Sequence, residues 1–146
     1  MNESPAVTRA MEPLPAPAGV TRPDGGLRRE ALYDPGRPVS RIARDLEPYL
    51  QVLVREFAPE RVVLFGSYAY GEPNEHSDID LLIVKPLADT PTAEAIAIRR
   101  AWREVRRRGR PMPFDLVVES PEGHRERLAG GTGFYDEINS RGLALV

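Results

Sequence analysis

Two short apolar runs, residues 62–65 (Val-Val-Leu-Phe) and 81–84 (Leu-Leu-Ile-Val), stand out along the chain, each bounded by polar or turn-forming residues. Runs of β-branched and large apolar side chains at that length predict buried strands over 61–65 and 78–84. A third strand is expected over 113–119, where Phe114, Leu116 and Val118 alternate with Asp115 and Val117. Upstream, Ile42, Leu46, Tyr49, Leu50, Leu53, Val54 and Phe57 recur at helical spacing behind Ser40 as N-cap. Pro48 falls inside that pattern and predicts a kink, or a short helix followed by a second one. Thr90 caps a later helix with Pro91 at its first position; Ala95, Ile98, Trp102 and Val105 share one face, and Gly109 closes it. Beyond Pro121 the pattern predicts a short helix to Leu128, a glycine-rich link over 130–133, a helix over 132–141 and a terminal strand over 143–146.

The first 39 residues break this regularity. They carry seven of the fifteen prolines and few large apolar groups, so they are expected to form a flexible arm, residues 1–39, ahead of a single domain over 40–146. The chain has no cysteine, which excludes disulfides and thiolate metal sites. No apolar run approaches the roughly 18 to 20 residues that span a bilayer, and no signal-like segment opens the chain. A cytoplasmic protein without a membrane partner is expected. Net charge is −2, which argues against a module built on a basic surface. Arg99, Arg100, Arg103, Arg106, Arg107, Arg108 and Arg110 nevertheless fall within twelve residues. Such a run reads first as a solvated face, and nucleic acid is not expected as the main partner.

The chemistry concentrates between the first two strands. Gly66-Ser67 leaves the first, and Asp78-Ile79-Asp80 opens the second after ten intervening residues. Carboxylates at i and i+2 on a strand point to one face and can converge on divalent cations. A Gly-Ser turn offers backbone N–H groups and a hydroxyl to phosphate. Asp115 sits among apolar neighbours where an unpaired carboxylate is costly; if the third strand lies beside the second, it completes a set of three. Together these supply what chemistry on a nucleoside triphosphate needs: a phosphate cradle at Gly66 and Ser67, and ligands for two Mg²⁺ ions, or Mn²⁺ in their place, at Asp78, Asp80 and Asp115. Neither histidine, His76 nor His124, is expected as a ligand, and Trp102 is expected in the core.

The run Leu64-Phe65-Gly66-Ser67-Tyr68-Ala69, with Ser77-Asp78-Ile79-Asp80-Leu81-Leu82 behind it, resembles the signature of the DNA polymerase β-like nucleotidyltransferase superfamily, and within it the small minimal nucleotidyltransferases. Four fixed positions match by chance on the order of once in 10⁵ starting points. The resemblance extends over 40–146 and implies an α/β (α+β) fold, a small mixed β-sheet packed by helices on one side, with metal at Asp78, Asp80 and Asp115. It further implies transfer of AMP from ATP to an acceptor hydroxyl, on a small helical partner protein of the HEPN type, in an antitoxin role. Two alternatives stand beside it: a catalytically degenerate antitoxin that neutralises by occlusion, and a stand-alone transferase acting on a small molecule or an RNA end. One departure is Tyr70, where relatives often carry a basic residue. Arg61 or an arginine of the 99–110 run is then expected to supply the charge.

Overall fold

The computed structural model describes residues 26–131 and 133–146. Three strands lie where the apolar runs place them: β1 (Arg61–Phe65), β2 (Ile79–Val84) and β3 (Phe114–Glu119), joined by a two-residue β4 (Leu143–Ala144). They form one sheet in the order β3-β2-β1-β4. β1 runs antiparallel to β2 and β4, whereas β2 and β3 are parallel. A parallel neighbour cannot be reached by a hairpin. The crossover is made by α4 (Pro91–Ala101) and α5 (Arg103–Arg108).

One face of the sheet presents Val62, Leu64, Leu81, Ile83 and Val118 to Leu46, Tyr49, Leu50 and Leu53 of α2 (Ala43–Phe57) and to Ile98 of α4. Pro48 neither splits nor ends α2, which is one continuous helix entered through a 3-10 turn, Pro38–Ile42. The helix break falls instead at Trp102, between α4 and α5. The buried indole donates to the Tyr49 carbonyl at 2.9 Å and meets the Tyr49 ring edge to face. Satisfying the one polar atom of a buried Trp fixes α4 against α2. Thr90 caps α4 as expected, accepting from Ala93 N–H at 3.1 Å.

The opposite face is also covered, though by less. Val63, Phe65, Leu82 and Val84 pack against Tyr135 and Ile138 of α7 (Gly133–Arg141), so α7 adds a second layer to the helices expected on one side. Glu119, at the end of β3, holds this layer down. It sits 2.7 Å from Nδ1 of His124 on α6 (Pro121–Gly130), accepts from Arg127 at 2.9 Å and accepts from the Tyr135 hydroxyl.

The boundary expected at residue 40 is too late. Leu27, Leu32 and Val39 are fully buried, Arg28 N–H donates to the Leu145 carbonyl at 2.7 Å, and α1 (Arg29–Leu32) lies in this segment. Glu47 of α2 ties it down, accepting from Arg29 at 3.1 Å and from the Tyr33 hydroxyl at 2.5 Å. Three isolated side chains docked through one carboxylate leave no periodic signature, which is why the sequence pattern passes over them. The rest of the expected arm, residues 1–25, lies outside the described residues.

Candidate functional site

β1 ends at Phe65, whose register partner is Asp80, and Asp80 is in turn paired with Asp115 on β3. The strand order alone therefore places two carboxylates side by side at the end of the sheet where the chain turns through Gly66. Both carboxyl groups lie on the same face of the sheet, in register with each other. Burial pushes the Asp80 carboxyl up to about 6, with the charges of Asp115 and then Asp78 adding to the rise. No donor offsets these effects, so the acidity of Asp80 records an unneutralised cluster of negative charge.

Gly66 touches this cluster. Its backbone lies at φ 76°, ψ −159°, a region open essentially to glycine alone. A Cβ built there would stand 2.1 Å from Oδ2 of Asp80. The turn and the carboxylate are thus in van der Waals contact, and any side chain at 66 would intrude between them. Ser67 begins the single helical turn α3 (Ser67–Tyr70), directly after the glycine that meets Asp80, and its hydroxyl does not cap that turn. Gly71 closes α3 tightly, since a Cβ there would meet the Ser67 Cα at 2.8 Å.

Of the five residues singled out from sequence, Gly66, Ser67, Asp80 and Asp115 are brought together. Asp78 precedes β2 on an exposed loop end, near enough to act on Asp80 through its charge. Among the described residues no three His, Cys, Asp or Glu side chains already converge as a metal cage. The donor set is nonetheless all carboxylate oxygen, the hard ligand that Mg²⁺ and Mn²⁺ prefer, and the charge crowding at Asp80 is what a cation would relieve. His76 is exposed and off the site, and His124 is buried on Glu119 at the opposite end of β3.

The cations expected to serve the turn are elsewhere. Arg61 opens β1 opposite Val84, at the far end of the strand from Gly66. Arg106 donates to the Met112 carbonyl, Arg107 and Arg108 pair with Glu104, and Arg110 pairs with Asp45. Arg99 donates to the Phe114 carbonyl at 3.1 Å, beside Asp115 but not at the turn. Two arginines that sequence reasoning passed over do reach α3. Arg37 donates to the Ala69 carbonyl at 3.3 Å, and Arg141 stacks on the Tyr70 ring with its guanidinium carbon 4.2 Å from the centroid. Exposed Phe134, also on α7, meets Phe65 edge to face. Neither residue lies near the turn in sequence, so only the path of α7 across the sheet reveals them.

The nucleotidyltransferase domain model matches residues 46–140, which takes in α2, the turn, all three long strands and most of α7. The chain belongs to the nucleotidyltransferase family. This nucleotidyltransferase is 32% identical over 84 residues to a protein of Methanocaldococcus jannaschii named "Putative protein adenylyltransferase", a match covering 58% of this chain and 76% of that one. The chain is therefore an enzyme of the minimal nucleotidyltransferase type, with a nucleoside triphosphate as substrate and nucleoside monophosphate transfer as its reaction. Among the described residues no helix is long and apolar enough to cross a membrane.

Proposed function

We propose that this nucleotidyltransferase is a Mg²⁺-dependent protein adenylyltransferase that moves AMP from ATP to a hydroxyl of a partner protein, of the small helical HEPN type, and so acts as an antitoxin. The observation that carries the chemistry is the contact of Gly66 with Asp80 beside Asp115. It sets a phosphate-binding turn against paired carboxylates, the two halves that triphosphate chemistry requires. The protein acceptor rests on the name of the relative from Methanocaldococcus jannaschii.

In this reading Asp80 and Asp115, joined by Asp78, hold the divalent metal. Bound there, Mg²⁺ neutralises triphosphate charge and favours the ionised form of the attacking hydroxyl. Gly66 and Ser67 hold the terminal phosphates: the glycine lets the backbone approach, and the serine hydroxyl and backbone N–H groups donate to phosphoryl oxygens. Through the metal they would hold, the carboxylates would set the α-phosphoryl group in front of the acceptor oxygen. That oxygen forms a bond to α-phosphorus, the bond to the bridging oxygen breaks, and pyrophosphate leaves carrying the electron pair. The acceptor proton passes to solvent or to a site carboxylate. Positioning and charge neutralisation account for the acceleration.

The test is incubation with ATP labelled on its α-phosphate, Mg²⁺ and the product of the adjacent reading frame. Label should appear on that partner and vanish with Asp78→Ala combined with Asp80→Ala. Equal neutralisation of the partner by wild type and double variant, with no label moved, would sink the catalytic reading in favour of occlusion. Label on an RNA end or a small molecule instead would relocate the acceptor.

A further inference from the structure

On the reading just given, a donor carrying about four negative charges enters a site whose assigned groups, Asp78, Asp80, Asp115, Gly66 and Ser67, are acidic or neutral. Divalent metal offsets part of that charge. The remainder calls for a cation from the chain, and position 70, which ends the turn helix, is a tyrosine.

We propose that Arg141 is the ligand of the donor's terminal phosphates, held in place by the face of the Tyr70 ring. Three observations lead there. The guanidinium lies over that ring at 4.2 Å, with Nη2 at 3.5 Å from the Tyr70 carbonyl. Tyr70 lies three residues on from Ser67, roughly 4.5 Å along the axis of α3. Secondly, its present contacts are weak. The carbonyl contact is at the outer limit of a hydrogen bond, and the ion pair with Glu137 is 3.6 Å long between side chains about half exposed. Exposed pairs of that kind contribute little. Thirdly, the residue is preset: Ile138, three positions earlier on α7, is fully buried against Val63 and its neighbours, so the helix that carries Arg141 is fixed to the sheet. A guanidinium held over a ring still carries the N–H fork that matches a phosphoryl group.

The other named cations are committed differently. Lys85 is buried against Glu94 at 2.6 Å, and Arg37 is engaged at the Ala69 carbonyl. An ordinary structural role for Arg141, capping the carbonyl end of α3, makes the opposite prediction about nucleotides, since a cap is indifferent to the number of phosphates on a ligand.

Calorimetric titration with α,β-methylene-ATP, which the transfer cannot cleave, and with AMP, both in the presence of Mg²⁺, separates the two. Arg141→Ala and Arg141→Gln should weaken the triphosphate analogue about tenfold, the loss of one charge-assisted contact. Affinity for AMP should change less than about twofold, because AMP lacks the groups that Arg141 meets. Arg141→Lys, which keeps charge but loses the fork and the stacking, should fall between. Unchanged binding of the analogue by both Arg141→Ala and Arg141→Gln, or an equal loss for analogue and AMP, overturns the proposal. Failure of wild type to bind the analogue at all overturns the donor reading itself and this inference with it, an outcome distinct from the first two.

Discussion

Gly66→Ala is the substitution whose cost the geometry specifies most fully, because two separable penalties meet at one Cβ. The first is backbone strain: φ 76°, ψ −159° is costly for any L side chain, of order 1–3 kcal/mol. The second is the clash with Asp80, whose Oδ2 and Cγ lie 2.1 and 3.1 Å from the new atom, while its Cβ stays at an ordinary 3.5 Å. Accommodating the new atom forces the Asp80 carboxyl to move, and overpacking of this sort typically costs about 1–3 kcal/mol. Truncation of Asp80 to alanine removes the clash and leaves the strain. A double-mutant cycle by urea denaturation of wild type, Gly66→Ala, Asp80→Ala and the double variant therefore isolates the contact. The destabilisation by Gly66→Ala should be about 2–6 kcal/mol in the wild-type background and about 1–3 kcal/mol smaller beside Asp80→Ala. Coupling below about 0.5 kcal/mol, the limit at which independent sites add, would refute the argument that the turn is glycine because the carboxylate occupies the space of a side chain.

Metal should act on stability as well as on reaction: millimolar Mg²⁺ or Mn²⁺ should raise the melting temperature, more so with a triphosphate analogue, and EDTA should reverse it. In EDTA, the folded-state pKa of Asp80, about 6 against an ordinary 3.8, gives a stability contribution that is present below pH 4 and lost as pH rises through 6. Asp115→Asn should accordingly stabilise the metal-free protein by about 1 kcal/mol near pH 7, after discounting for partial exposure. That gain should disappear below pH 4 in urea midpoints, and label transfer should be lost. Glu119→Ala, which strands His124, Arg127 and Tyr135, should cost about 3 kcal/mol or more. Amide exchange should then quicken in α6 and α7 before the strands.

Much of the site was legible because its parts sit on elements with strong local patterns. The strands holding Asp80 and Asp115 announce themselves by apolar runs, whereas the antiparallel pairing of β1 with β2 does not follow from the connection over 66–78, which is long enough for a hairpin or a crossover. Asp115 beside Asp80 needed the parallel pairing of β2 with β3, which a strand, helix, strand order permits without fixing register. The docking of residues 26–39 was not legible, since Leu27, Leu32 and Val39 are spaced without a period and are held by a charge network centred on Glu47. Pro48 does not divide α2, which runs on past it with Tyr49, Leu50 and Leu53 fully buried behind the proline. Arg141 and Phe134 were invisible for a different reason. Their nearness to the turn depends on how α7 crosses the sheet, and that crossing is decided by Ile138, Tyr135 and Glu119 together.

Glu119 and Asp80 lie on the same face of the same sheet, and their acidities move in opposite directions. Burial pushes each upward. At Glu119, the hydrogen bonds from His124 and Tyr135 and the charge of Arg127 outweigh burial and bring the carboxyl below its ordinary range. At Asp80 the nearest charged groups are Asp115 and Asp78, which add to burial instead of opposing it. The fold thus has donors enough to satisfy a buried acid, and it delivers them to the end of β3 that holds α6 and α7, leaving the other end electrostatically incomplete. An acid left in that state destabilises the free protein near neutral pH, and either protonation or a cation brought from outside relieves the deficit. The stabilised carboxylate holds the wall that carries Arg141, and the destabilised one is left beside Asp115 at the opposite end of β3.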